Sequence, residues 1–362
     1  MLCNMNKLFV ILGCMITLAS FGQKTKTENL IIITMDGMRW EEIFGGVDSA
    51  IMHNPSYTHN AQEVEKMLWD NSAEERRKRL YPFIWNTIAA NGQLYGNRNK
   101  GSFADVANRY RFSYPGYNEI FTGYPDTAVN SNDKIKNKNE NVLEFINKQK
   151  GYKDKVAAFS TWDVIPYVLN KWRNGLMANA YPDTLDLGND QSKLLNDLQR
   201  FAAEQHGDED RPDLITYMVA REYFKTKKPK VLYISFDEPD EFAHGGKYNE
   251  YLGVSHMEDG FIGDIWNLAQ SMPEYKGKTT IIVTCDHGRG NKIKSQWRDH
   301  GERVEDATQI WMAVMGPDTK PMGENTPGQV YQKQFAATMA ALLGFKFNPD
   351  HPAGEVIQSV LK

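Results

Sequence analysis

Cysteine is nearly absent from this chain. Of three cysteines in 362 residues, Cys3 and Cys14 fall near the start, and only Cys285 lies in the body of the sequence. A single cysteine cannot close an internal disulfide, so a disulfide scaffold is excluded. Cys285 ends an apolar run, which predicts a buried core thiol in preference to a catalytic one. Excess charge is also missing. The formal net charge is -4, which argues against bulk electrostatic binding of a nucleic-acid backbone. An anionic substrate would need a local cationic site, which bound metal ions can supply. No G-x-S-x-G elbow is present, which weighs against an ordinary serine hydrolase. There is no internal repeat.

What is present begins with a leader. Lys7 is a short basic segment, Leu8 to Ala19 is apolar, and Ser20 and Gly22 are small residues before Gln23. This predicts a signal peptide over residues 1–22, cut before Gln23, and a secreted or periplasmic mature chain over 23–362. The apolar run is short for a membrane span, so no span is expected in the mature chain. Ile11-Leu12-Gly13-Cys14 loosely matches a lipid-attachment box, which leaves anchoring at Cys14 as the minor alternative.

Five short apolar runs punctuate the body: Leu30 to Ile33, Val156 to Phe159, Val231 to Ile234, Thr280 to Val283 and Ile310 to Val314. Their apolarity is continuous, which indicates strands covered on both faces. Helix-like segments lie between them, at Val142 to Lys148, His256 to Ala269 and Gln334 to Leu343. The alternation predicts an α/β fold with a central, largely parallel β-sheet sandwiched between helices. Residues 45–108 and 172–211 break the rhythm and read as cap insertions around a site.

Polar residues that bind metals recur where these strands end, which is where open α/β sheets place their sites. Asp36-Gly37 follows the first strand, although Asp-Gly alone marks only a turn. Asp286-His287-Gly288 follows the fourth, and its N/O donor mixture suits zinc. Asp240 and His244 are four residues apart, so one helical turn places them on one side. Asp237 is a rival ligand, and helix capping is the plain reading of Asp240. His300 stands in a polar loop with no local signal of its own. Ser113 precedes Tyr114-Pro115-Gly116, and its hydroxyl needs a base or a metal to become a good nucleophile.

In order, Asp36, Ser113, Asp240 with His244, Asp286-His287 and His300 resemble the metal-site pattern of the alkaline phosphatase superfamily. The resemblance is closest to its type I phosphodiesterase/nucleotide pyrophosphatase branch. There the nucleophile segment reads roughly Thr-Phe-Pro-Asn-His, followed by Thr-Gly-x-x-Pro-Asp. Here it reads Ser113-Tyr114-Pro115-Gly116-Tyr117, then Thr122-Gly123-Tyr124-Pro125-Asp126. The resemblance spans about Leu30 to Gly316 and extends to the helix near Ala336 to Gly344.

The resemblance implies an alkaline phosphatase-like fold and two zinc ions, with manganese or another divalent metal as the alternative. Asp240, His244 and His300 would hold one ion. Asp36, Asp286 and His287 would hold the other, with Ser113 as a further ligand and the covalent nucleophile. It also implies an asparagine on a phosphate oxygen; Asn130 aligns best and Asn132 competes. Ser113 replaces the branch's threonine. Tyr117 stands where the sulfatase pattern needs arginine, which disfavours a sulfatase. The implied activity is hydrolysis of a small-molecule phosphate ester, with a diester or nucleotide-like substrate first and a monoester second. A sulfatase, a phosphonate hydrolase or a non-catalytic binding protein on the same fold ranks lower.

Overall fold

The computed structural model describes residues 25–206 and 210–362. The leader expected over residues 1–22 lies outside the described residues. Seven strands form the central sheet: β1 (Asn29–Met35), β2 (Gln93–Tyr95), β4 (Val156–Ser160), β5 (Met177–Asn179), β6 (Val231–Phe236), β7 (Thr279–Thr284) and β8 (Met312–Met315). Their order is β2-β8-β7-β1-β6-β4-β5. A separate parallel pair joins β3 (Ser102–Asp105) to β9 (Gly328–Tyr331).

The five core strands β5, β4, β6, β1 and β7 run parallel, whereas β8 and β2 pair antiparallel at one edge. Every residue of β1, β4, β6 and β7 is buried. A strand buried at both alternations needs cover on both faces, which is why these runs are continuously apolar. Helix Asp213–Lys227 packs on β4 and β6, and helix Tyr248–Ser271 packs on it and on β1. Helices Ser113–Thr122, Val142–Asn147 and Phe335–Leu342 pack together as a second group.

The two segments that break the sequence rhythm contribute to the central sheet. Residues 45–108 carry short helices and also supply β2, and residues 172–211 supply β5. Both strands are three residues long, too short to show a period of two.

The register aligns the strand ends. Thr34 on β1 lies opposite Ser235 on β6 and Thr284 on β7. Three neighbouring strands therefore end level, and the residues after them share one edge of the sheet.

Cys285 is fully buried. Burial, helped by the Asp286 charge, pushes its thiol well above the usual range. It is a core thiol, because a reactive cysteine needs the opposite environment.

Candidate functional site

Asp36 leaves β1 and Asp286 leaves β7, and both are fully buried. Each carboxylate has one oxygen tied to protein and one bare. The Tyr117 hydroxyl donates to Asp36 Oδ2 at 2.8 Å. The Gly37 N–H donates to Asp286 Oδ1 at 3.0 Å. Among the described residues, Asp36 Oδ1 and Asp286 Oδ2 are buried with no hydrogen-bond partner. Both bare oxygens lie 3.4 Å from His287 Nε2. The other ring nitrogen, His287 Nδ1, faces the Gly288 carbonyl at 3.0 Å.

The second group comes from helix Glu238–His244. Asp240 and His244 stand one turn apart on it, with His244 Nε2 3.1 Å from Asp240 Oδ2. His300 Nε2 lies 2.8 Å from His244 Nε2 and 3.7 Å from Asp240 Oδ1. His287 sits between the two groups, with its Nε2 3.8 Å from Asp240 Oδ1.

Asp36, Asp286 and His287 thus offer donor atoms mutually close enough for one cation, and Asp240, His287 and His300 do the same for another. His244 borders the second set and is the most exposed of these residues, with 48% of its side chain accessible.

Ser113 opens helix Ser113–Thr122 and its Oγ lies 3.4 Å from His287 Nε2. The chain enters this helix through Arg111, which takes a left-handed conformation at φ 56. A non-glycine residue rests there only when its surroundings hold it. Asn108 Oδ1 accepts the N–H groups of Tyr110 and Arg111 at 3.1 and 2.8 Å, and the Gly301 N–H donates to the Arg111 carbonyl at 2.9 Å. The last bond ties the Ser113 turn to the residue after His300. Glu119, fully buried on the same helix, accepts the N–H groups of Ala107, Asn108 and Lys333. The helix is therefore anchored along its length.

Charge at the site is unbalanced. Burial, followed by the negative charges of Asp286 and Asp240, raises the Asp36 carboxyl well above the carboxylate range. Burial likewise pushes Asp286 up to about 8. Burial holds His287 well below the usual imidazole range, and His300 is pushed down to about 4 mainly by burial. Asp240 goes the other way. Burial opposes its ionisation, but the Arg289 guanidinium, with His300 and His244, more than offsets that and holds it well below its usual range. Neutral imidazoles beside carboxylates that resist ionisation form a donor set completed by a cation. Zinc and similar divalent ions accept these N/O donors.

Several contributors carry no signal in the sequence. Arg289 is fully buried and donates from Nη2 to Asp240 Oδ1 and from Nη1 to the Arg298 carbonyl. Asp213 accepts the N–H groups of Asp237 and Glu238 at 3.0 and 2.9 Å, which caps the helix bearing Asp240 and His244. Glu238 accepts the Asp213 N–H at 3.0 Å in return. Apart from the Arg289–Arg298 bond, nine residues apart, these partners lie about 25 residues or more apart, beyond any local pattern. Asp237 is the residue preceding that helix, and Asp240 sits in its first turn.

Asn130 is exposed and lines a groove of about 140 Å³ together with Tyr114, Asp126, Lys136 and Asn139. Asn132 Oδ1 accepts the N–H of Tyr114, the residue after Ser113, at 3.0 Å. No helix among the described residues is long and apolar enough to cross a membrane.

No curated protein sequence matches the chain. The solved alkaline phosphatase PafA superposes with a TM-score of 0.63 at 10% identity, covering 94% of this chain and 99% of that one. A phosphonate monoester hydrolase of Agrobacterium radiobacter gives 0.57 at 12%, covering 92% and 77%. A putative sulfatase from Bacteroides thetaiotaomicron gives 0.57 at 11%, covering 93% and 75%. Identities this low establish the shared fold. The sequence model described as type I phosphodiesterase/nucleotide pyrophosphatase matches residues 47–341. The chain belongs to the type I phosphodiesterase/nucleotide pyrophosphatase family and is a phosphoric ester hydrolase.

Proposed function

We propose that this chain is a two-metal phosphodiesterase in which Ser113 is the covalent nucleophile. One observation carries the reading: two buried carboxylate oxygens, Asp36 Oδ1 and Asp286 Oδ2, stand bare beside His287 Nε2, which also faces Ser113 Oγ. Bare buried carboxylate oxygens are costly unless a cation compensates them.

Asp36, Asp286 and His287 would hold one zinc ion with Ser113, and Asp240, His244 and His300 the other. Bound there, the ions would stabilise charge on the attacking and leaving oxygens of an in-line displacement and favour the ionised serine. The chain's own residues do the rest. Helix Ser113–Thr122 presents Oγ at its first residue, where the helix N-terminus favours an anionic phosphoryl group. Ser113 Oγ attacks phosphorus, the bond to the leaving oxygen breaks, and a seryl ester forms that keeps the second ester substituent on phosphorus. Water then cleaves this ester and regenerates Ser113. Asn130 is assigned to a non-bridging phosphate oxygen. Asn132 is the alternative, and its side-chain carbonyl is already engaged by Tyr114.

The diester preference is supported by the arginines. A monoester dianion is best clamped by a free guanidinium fork. Arg39 is fully buried beside Glu41 and Glu42, and Arg289 is bound to Asp240. Arg111 donates to the carbonyl of Val304, and Arg298 lies over Tyr57. Each of these four guanidiniums is engaged by the protein.

The test is trapping. Protein incubated with a phosphodiester and quenched at low pH should carry on Ser113 the phosphoryl group with the substrate's second ester substituent still attached, and only when divalent metal is present. A phosphoryl group on another residue, or full turnover by verified metal-free protein, would refute the mechanism.

A further inference from the structure

Tyr117 lies one helical turn after Ser113 on helix Ser113–Thr122. Residues four apart share a helix face, so the helix that presents Ser113 Oγ also presents the Tyr117 hydroxyl. Tyr117 is 1% exposed, and its ring packs near Trp162.

The hydroxyl is held in a directed chain. Ser235 Oγ donates to Tyr117 Oη at 3.2 Å, and Tyr117 Oη donates to Asp36 Oδ2 at 2.8 Å. Behind Ser235, Thr34 Oγ1 donates to Ser235 Oγ at 3.2 Å and lies 3.0 Å from Tyr233 Oη. A phenol has one proton to give. With Ser235 donating into its oxygen, that proton goes to Asp36. The consequence is geometric. Oδ2 is tied down, the carboxylate plane is fixed, and Oδ1 alone faces His287 and Asp286.

We propose that Tyr117 is a positioning residue that orients the Asp36 carboxylate and so sets the metal affinity of the Asp36–Asp286–His287 site, leaving the Asp240–His244–His300 site unaffected. The second site has no contact with the Tyr117 hydroxyl; its Asp240 is oriented instead by Arg289. Hydrogen-bond partners of metal ligands fix ligand direction, and their loss typically weakens metal binding about 10–100-fold.

This inference rests on the two-metal reading, and the experiment separates the two. Apo-protein is titrated with zinc against a competing chromophoric chelator, for the wild type and for Tyr117→Phe, which deletes only the hydroxyl. The expected result is two sites in both proteins, with one weakened about 10–100-fold in the variant and the other unchanged. Turnover of the variant should recover when free zinc is raised by the same factor, which a general packing defect would not allow. Tyr81→Phe is the control. It deletes another buried hydroxyl, bonded to Ser255 at 3.2 Å, and should leave both affinities unchanged. If Tyr117→Phe does not fold, Ser235→Ala decides: it unpins the phenol and should weaken the same site several-fold. Two wild-type-like affinities in Tyr117→Phe, or in Ser235→Ala where that variant must decide, overturn the inference and leave the two-metal reading standing. A wild type that binds fewer than two metals overturns both.

Discussion

Gly116→Ala tests how the Ser113 helix is seated. Gly116 lies in the helix without a positive φ, so alanine suits its backbone. Space is the obstacle. A Cβ there would meet the Asp286 carbonyl oxygen at 2.4 Å, the carbonyl carbon at 2.9 Å and Asp286 Cβ at 3.2 Å. Ordinary contact begins at 3.4 Å, so helix and strand end must part by about 1 Å. Two opposed terms bear on stability. Alanine favours a helix interior over glycine by ~1 kcal/mol, whereas overpacking costs ~1–3 kcal/mol. The net loss is modest, about 0–2 kcal/mol, because the two partly cancel. Activity is the sharper readout. Ser113 and Asp286 sit on the two surfaces being forced apart, and a misplacement of about 1 Å can cost on the order of 10²-fold in rate. The assay is kcat/KM on an aryl phosphodiester at saturating zinc, with a thermal melt alongside. Gly260→Ala is the control. It sits on helix Tyr248–Ser271 with nothing within 4 Å of its would-be Cβ, and should stabilise by ~0.5–1 kcal/mol with unchanged turnover. A Gly116→Ala enzyme with turnover within twofold of wild type and no lower melting point would refute this account of the helix contact.

Other consequences can be checked directly. Ser113→Ala should keep the fold and lose roughly 10³-fold or more in kcat; a smaller loss in metal-replete protein would remove Ser113 as nucleophile. With a common leaving group, the diester should be hydrolysed faster than the monoester and the sulfate ester. A monoester advantage of about tenfold, roughly 1.4 kcal/mol, would reverse the preference and leave the two-metal mechanism intact. Asn130→Ala should raise KM and lower kcat more than Asn132→Ala does, and the opposite order would transfer the phosphate contact to Asn132. Metal binding should release protons at pH 7. Burial pushes Asp286 up to about 8 in the metal-free protein, so the carboxyl is protonated at neutrality and the cation displaces that proton. Affinity should rise with pH through neutrality. Calorimetry in buffers of different ionisation enthalpy reads the proton count, and a count of zero would contradict the assignment.

The parts of the fold that sequence predicts are the parts that burial encodes. β1, β4, β6, β7 and β8 are apolar because helices or neighbouring strands exclude water from them, and their runs stand out. β2 and β5 are three residues each and sit at the sheet edges. Tertiary pairing with β8 and β4 defines them, and their own composition does not. The antiparallel course of β8 is equally silent. A run such as Ile310 to Val314 records that it is buried and says nothing of the direction in which its neighbour runs.

The site divides along a similar line. Asp36, Asp286 and His287 are legible because strand ends are where side chains escape the core, and Asp240 with His244 because a helical turn spaces them. His300 is legible only through the company it keeps. What orients these residues is not legible at all. Tyr117 reaches back 81 residues to Asp36, Asp213 caps a helix 24 residues further on, and Arg289 closes on Asp240 across 49. None of these contacts leaves a spacing pattern, because each is made in space between separate elements. Yet the Tyr117 contact decides which Asp36 oxygen is bare, and the Arg289 contact orients Asp240. Without the Tyr117 and Gly37 hydrogen bonds, Asp36 and Asp286 could rotate, and two buried carboxylates side by side would relieve their repulsion by turning apart or sharing a proton. Held as they are, they aim their bare oxygens at one point beside Ser113. The donor residues name the class of ion, and their tethers decide whether a site exists before the ion arrives.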